Sequence, residues 1–214
     1  RSRGRSVSSI GGTVMITVSE LAGDGLEDFL GAFMRRRFGS TTPYTEMVPS
    51  AARIALECIG NSDALYHNVE HTLLVTLAGH DIMRGRALNH HMPPEDYAHI
   101  IIACLTHDIG YVRGLFDEDD EDGFVIDASR RKITLPRGSS DAALMSYHVD
   151  RSKLYVMERM RANILLDQNR IAGAIEGTRF PPNPIDDGQP YAEEASIVRA
   201  ARLVAQLREP DYIR

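Results

Sequence analysis

Two histidine-containing motifs in this sequence could bind a metal ion or transfer a proton. His67 and His71 are four residues apart in a segment whose apolar residues recur at helical spacing, so they are expected to share one face of a helix. Two imidazoles at that spacing can both reach one metal ion, or one can bind the ion while the other handles a proton. The competing interpretation is a pair of structural or half-exposed histidines.

The second motif, His107 and Asp108, closes a strongly apolar segment just before Gly110. An ionisable pair at the end of an apolar run is costly to bury unless something binds it. A helix that breaks at Gly110 could let both side chains converge on one centre, although a helix cap is the competing interpretation. Histidine and aspartate suit zinc, iron, manganese or magnesium, so the two motifs together predict a site for a divalent ion.

Helices are expected to position these motifs, because apolar residues recur at helical spacing along most of the chain. Pro43 and Pro93 stand near expected helix starts, and Asp141 and Asp167 are suitable N-cap residues. The predicted helices span residues 26–38, 43–59, 66–83, 93–110, 141–161, 167–179 and 192–207.

The region between the fourth and fifth predicted helices has a different pattern. Residues 117–122 form an acidic run that is expected to be a solvated loop. Residues 124–127 and 132–135 alternate in polarity and predict a small β-hairpin that turns at residues 128–131. The predicted fold class is therefore all-α, a bundle of about seven helices with a small β-hairpin insertion.

Composition narrows the class of protein. The 214 residues, 43% hydrophobic and 25% charged, suit a single domain that buries its core without disulfides. A net charge of −6 without a long basic block argues against a nucleic-acid polymer as partner. The longest apolar run, at residues 100–105, is far shorter than the roughly 20 residues that cross a bilayer, so no membrane partner is expected. Cys58 and Cys104 lack a CxxC pattern and predict free thiols in a reducing cytoplasm.

The domain organisation is expected to be simple. Residues 1–18 are predicted to be an N-terminal extension, flexible or derived from a vector, because they begin with a basic stretch rich in serine and glycine. Residues 19–214 are predicted to form a single helical domain, and the sequence leaves a homo-oligomer open.

The segment Tyr66-His67-Asn68-Val69-Glu70-His71, followed by His107-Asp108, resembles the HD-domain superfamily of metal-dependent phosphohydrolases. The similarity is closest to the branch shared with cyclic-nucleotide phosphodiesterases, whose motif reads YHNxxH. It extends from about residue 45 to residue 212 and includes residues 147–151 and 178–181. The resemblance implies an HD-domain helical bundle that hydrolyses a nucleotide or a small phosphate ester with metal-activated water.

The resemblance also implies a set of metal ligands. His71, His107 and Asp108 would bind one or two divalent ions, either manganese, iron, zinc or magnesium, and the Asp108 carboxylate could bridge two of them. His148 would lie near a second metal ion or near the substrate phosphate.

Other residues are expected to act on the substrate. The resemblance assigns the role of general acid to His67 and implies that Asn68 orients the substrate-binding neighbourhood around it. Arg113 and Arg151 are candidates for binding the phosphate, since guanidinium groups bind phosphate well, although ordinary surface arginines are the competing interpretation.

The resemblance fails at one position of the last predicted helix. The family places a further metal ligand there, an aspartate, and this sequence has Arg202, which cannot deprotonate to bind a metal ion. Arg202 would either pair with Asp108 beside a single weakly bound ion or bind a substrate phosphate. An alternative function is therefore a degenerate HD domain that binds a nucleotide or partner without turnover. An HD-type di-iron oxygenase is a third hypothesis, and it would need a full ligand set for two irons.

Overall fold

Seven α-helices and a two-stranded hairpin form the fold, in a computed structural model that describes residues 16–181, 188 and 190–208. The antiparallel strands β1 (Phe124–Val125) and β2 (Lys132–Ile133) form the hairpin. The all-α prediction with a small hairpin insertion is confirmed. The helices are α1 (Val18–Phe38), α2 (Tyr44–Ile59), α3 (Val69–Arg86), α4 (Pro94–Thr106), α5 (His148–Arg159), α6 (Gln168–Glu176) and α7 (Ala192–Arg208).

Helix α4 is the centre of this fold. Every residue from 97 to 106 is buried, and the helix contacts α2, α3, α6 and α7. A helix that is apolar on all sides needs other helices on all sides to cover it. Because α4 ends at Thr106, the two residues that follow it, His107 and Asp108, are delivered into the interior. Among the described helices, none has the length and apolar composition to cross a bilayer.

Helix α1 begins earlier than predicted, at Val18 instead of residue 26. The reason is a capping box, in which Thr17 Oγ1 accepts a hydrogen bond from the Glu20 amide and the Glu20 carboxylate accepts one from the Thr17 amide. The end of the predicted N-terminal extension therefore belongs to the cap and first residue of α1. The rest of that extension, residues 1–15, lies outside the described residues.

Two other helices begin later than predicted. Helix α3 begins at Val69, since the Asn68 side chain caps it by accepting a hydrogen bond from the His71 amide at 3.1 Å. His67 thus precedes the helix, and the expectation that it shares a helical face with His71 was wrong. Helix α5 begins at His148 and is preceded by a short 3-10 helix, Asp141–Leu144. The predicted cap of α6 by Asp167 is confirmed.

Candidate metal centre

Four imidazole rings surround the carboxylate of Asp108. The nearest nitrogen atoms of His67, His107 and His71 lie 2.7, 3.0 and 3.4 Å from Oδ2, and Nε2 of His148 lies 3.6 Å from Oδ1. They come from four parts of the chain: the loop before α3, the first turn of α3, the end of α4 and the start of α5. The structure thus brings together all five residues that the sequence assigned to metal binding and proton transfer.

Backbone carbonyl groups determine how two of these rings are protonated. His107 Nδ1 lies 2.8 Å from the carbonyl oxygen of Cys104, and His148 Nδ1 lies 2.6 Å from that of Met145. A carbonyl can only accept a hydrogen bond, so both Nδ1 atoms donate and carry the proton. The buried Nε2 atoms of both rings have no hydrogen-bond partner among the described residues. Metal-ligating histidines in proteins have this arrangement.

Asp108 remains ionised in this environment. Burial by itself would raise the pKa of its carboxyl group, but His107 and His67 beside it hold that pKa well below its usual value. Burial lowers the pKa of His148 to about 4, although Asp108 opposes this shift. A buried negative charge therefore faces a neutral imidazole, and one carboxylate oxygen, Oδ1, has no hydrogen-bond partner in the described part of the chain. A cation would supply the missing counter-charge.

The donor atoms are close enough to share an ion. Ligand atoms of His67, His71 and Asp108 all lie within 4.8 Å of one another, so this cluster could hold a metal ion. The sequence assigned His71, His107 and Asp108 to the metal and His67 to proton transfer. His67 thus lies as close to His71 and Asp108 as a metal ligand would, although the sequence assigned it a role in proton transfer.

A tyrosine that the sequence analysis missed holds two of the histidines. Tyr111 stacks on both His67 and His148, with ring centroids 4.3 and 4.4 Å away and interplanar angles of 17° and 16°. Burial raises the pKa of Tyr111, and Asp108 adds to this effect while Arg202 opposes it, so the phenol is neutral. The only sequence signal was an aromatic residue that follows the His107-Asp108 motif at short distance.

Helix α5 is held directly against the segment that carries His107 and Asp108. Gly110 makes this possible, because a Cβ atom there would lie only 2.0 Å from the carbonyl oxygen of His148. Ser152 joins the two parts, since its hydroxyl accepts from the Gly110 amide at 2.9 Å and donates to the His107 carbonyl at 2.8 Å. His107 and His148 are therefore held in one rigid unit.

The structure corrects the role predicted for Arg151. This residue is 0% exposed, and Nε donates to the Gly110 carbonyl at 2.7 Å. The other N–H groups donate to the carbonyls of Val112 and Val125 and to both carboxylate oxygens of Asp119. All five N–H donors of the guanidinium are in use, so none remains for a phosphate. Arg151 instead supports the backbone of the segment that follows His107 and Asp108.

The acidic run also differs from the prediction at one position. Residues 117–122 are largely exposed, as expected of a solvated loop, but the side chain of Asp119 is 0% exposed. It accepts hydrogen bonds from the backbone amides of Leu115 and Val125, in addition to its ion pair with Arg151. A single inward carboxylate in an acidic run cannot be recognised from charge pattern, because the partner that compensates it is distant in sequence.

Arg113 and Asn68 both form hydrogen bonds with backbone groups of nearby segments. Arg113 Nε lies 2.8 Å from a carboxylate oxygen of Asp141, and a second nitrogen donates to the carbonyl of Ser139. Asn68 caps α3 and donates to the carbonyl of Leu65 at 2.7 Å, which positions the loop that carries His67. Asn68 therefore orients this neighbourhood through the backbone. Binding of substrate by either side chain stays a prediction.

Arg202 lies at the edge of the site. It belongs to α7, which packs against α3. Its positive charge lowers the pKa of Tyr111, against the larger opposite effect of burial. Among the described residues Arg202 forms no ion pair with Asp108, so the first of its two predicted arrangements is not observed. Its Nε atom is buried and has no hydrogen-bond partner among those residues.

Fold and site together define an all-α protein with a buried cluster of histidines around one aspartate, which could hold a metal ion. The chain belongs to the Npun_R2479-like family, whose model matches residues 17–214. No curated protein and no solved structure matches the chain.

Proposed function

We propose that this protein is a metal-dependent phosphohydrolase that acts on a nucleotide or another small phosphate ester. The observation that carries the proposal is the convergence of the His107 and His148 Nε2 atoms on the ionised, buried Asp108 carboxylate. The resemblance of the surrounding motifs to the HD-domain superfamily supports hydrolysis of a phosphoester as the reaction.

His71, His107 and Asp108 would hold the ion, and His148 would complete its ligand set or reach a second ion. Imidazole and carboxylate ligands suit manganese, iron, zinc or magnesium. When bound, a divalent ion supplies Lewis acidity, which lowers the pKa of water and offsets negative charge on a phosphoryl group. The backbone carbonyls that bind the Nδ1 atoms of His107 and His148 keep both Nε2 lone pairs available for this purpose.

His67 would protonate the leaving oxygen. Its side chain is 14% exposed, more than those of the other three histidines of the cluster, so it is the ring that a substrate can reach. The hydrogen bond from Nδ1 to Asp108 and the stack on Tyr111 fix the ring and leave Nε2 to carry the transferred proton. A positioned general acid typically contributes about 10²–10⁴-fold to the rate.

Metal analysis together with a substrate panel tests this function. Protein purified without a chelating tag should contain a transition metal and hydrolyse at least one phosphodiester or phosphomonoester in the presence of manganese, iron, zinc or magnesium. His107→Ala should lose both the metal and the turnover, whereas His90→Ala, an exposed histidine outside the cluster, should lose neither. Metal-free protein that stays inactive with every one of these ions would refute the proposal.

A second candidate function is a domain that binds a nucleotide or partner without turnover. Arg202 favours it, because a guanidinium stands where the resembled family has a carboxylate ligand. If this function is correct, the parent protein is inert and Arg202→Asp increases its metal loading and activity. Arg208→Asp makes the same charge change on an exposed part of α7 and should have no effect. Full activity of the parent protein would eliminate this candidate.

A further inference from the structure

A cavity outside the histidine cluster lies among α2, α5 and the segment 112–115. Its volume of 880 Å³ falls within the range of about 300–1,000 Å³ that is typical of small-molecule sites. Most of its lining is apolar, and this lining includes Met47, Ile54, Ile102, Leu115, Met160 and Leu166. An apolar cavity of this size suits the hydrocarbon part of a ligand, because burial removes that part from water.

The charges at this cavity have one sign. Within the described part of the chain, the only charged residues that line it are Arg113 and Arg159, although the protein carries a net charge of −6. Arg113 is compensated, since its Nε atom lies 2.8 Å from the carboxylate of Asp141. Arg159 forms no ion pair with any described residue, and its guanidinium carbon lies 5.9 Å from the centroid of the Tyr155 ring.

The charge of Arg159 affects two ionisable side chains that line the cavity. Burial raises the pKa of the Cys58 thiol and of the Tyr155 phenol, and the positive charge of Arg159 opposes the shift in both. Both of these side chains line the cavity. An uncompensated cation beside apolar walls is a favourable place for an anionic head group whose hydrocarbon part is buried.

We propose that this cavity binds a small amphipathic anion, which places a hydrocarbon chain against the apolar walls and one carboxylate or similar head group at Arg159. The proposal does not depend on the phosphohydrolase activity. A neighbouring cavity of 320 Å³ also borders Arg159, but three acidic residues, Asp117, Glu118 and Glu158, line it together with Arg130. The larger cavity has no acidic residue among its described lining, so it is the better site for an anion.

Fluorescence titration of the full chain with a dansyl-labelled undecanoic acid tests the proposal, with decanoate and decylammonium as unlabelled competitors. We expect saturable binding that decanoate displaces and decylammonium does not. Arg159→Glu should weaken the affinity at least tenfold, as expected when an attractive charge becomes repulsive. Arg161→Glu is the matched control. It introduces the same charge change at an exposed residue only two positions further along the chain, and Arg161 lines a different groove.

A steric variant provides a second line of evidence. Ala51 lines the cavity and is only partly buried, so Ala51→Phe fills part of the space without overpacking the core. This variant should weaken binding of the dansyl acid while near-UV circular dichroism shows a native fold. Absence of binding by the parent protein, equal displacement by decylammonium, or an unchanged affinity in Arg159→Glu would each overturn the proposal. Metal content and turnover do not enter any of these readouts.

Discussion

Replacing Arg151 by methionine tests whether a buried guanidinium holds the segment that follows His107 and Asp108 in place. Arg151 is fully buried, and its Nη2 atom lies 2.9 Å from the carboxylate of Asp119, which is also buried. Removing one partner of a buried ion pair costs about 3–5 kcal/mol, because the remaining charge stays buried without compensation. Methionine has an unbranched apolar side chain that can fill most of the space, so the loss of charge should dominate over the loss of volume.

Backbone groups add to this effect. The carbonyls of Gly110, Val112 and Val125 accept hydrogen bonds from Arg151, and a buried acceptor that loses its donor costs about 1–3 kcal/mol. Asp119 keeps three backbone amide donors, which lowers the cost of its unpaired charge. We therefore expect Arg151→Met to reduce the free energy of unfolding by at least about 3 kcal/mol, a large part of the about 5–15 kcal/mol that is typical of a domain.

Urea unfolding followed by far-UV circular dichroism measures this change. Asp119→Asn removes the stranded charge, so the double variant should be less destabilised than the sum of the two single variants. Arg151→Lys should also be destabilised, because an ammonium group cannot replace the five donors of a planar guanidinium. A variant Arg151→Met that loses less than about 1 kcal/mol, the size of an exposed ion pair, would refute this reasoning. If that stable variant also had a raised KM, the result would support the prediction that Arg151 binds the phosphate.

Further variants test other parts of the structure. Tyr111→Leu should weaken metal binding about tenfold, because it removes two ring stacks that are worth about 0.5–1.5 kcal/mol each, and Tyr111→Phe should keep it. Gly110→Ala should lower the free energy of unfolding by about 1–3 kcal/mol or more, since its Cβ atom would lie 2.0 Å from the His148 carbonyl oxygen. Gly85→Ala, which meets nothing within 4 Å, should be neutral or stabilising in the same urea experiment. His80→Gln should weaken the acid dependence of stability, as measured by urea midpoints between pH 7 and pH 4.

The sign of the His80 effect follows from its surroundings. Burial lowers the pKa of His80 to about 4, and its Nδ1 atom lies 2.7 Å from the Tyr97 hydroxyl. Between the unfolded value of 6.5 and about 4, the unfolded chain binds a proton that the folded protein does not. Stability should therefore fall by about 3 kcal/mol as the pH decreases through this window. His90→Gln, at an exposed histidine, should keep the full slope, and an equal slope in His80→Gln would contradict the assignment.

The histidine cluster shows how much residue types and motif spacing can predict. The sequence alone identifies His67, His71, His107, Asp108 and His148, because the combination of imidazole and carboxylate is rare in apolar segments and because the motifs resemble a known superfamily. Residue types and motifs cannot show which of these side chains bind the metal ion and which one acts as the general acid. His67, whose Nδ1 lies 2.7 Å from Asp108, is in the loop before α3 because the Asn68 side chain caps the start of that helix, which is a local backbone event.

The sequence by itself determined the all-α class, the strongly apolar character of α4 and the residues that cluster around Asp108, since apolar periodicity and residue chemistry are local properties. Only the tertiary structure decided that Arg151 is a buried support, that Asp119 points inward and that Tyr111 stacks on two histidines. Each of these roles depends on a partner that is distant along the chain, such as the Gly110 carbonyl for Arg151. A charged residue has the same identity in solvent and in a core, and packing alone determines which groups surround it.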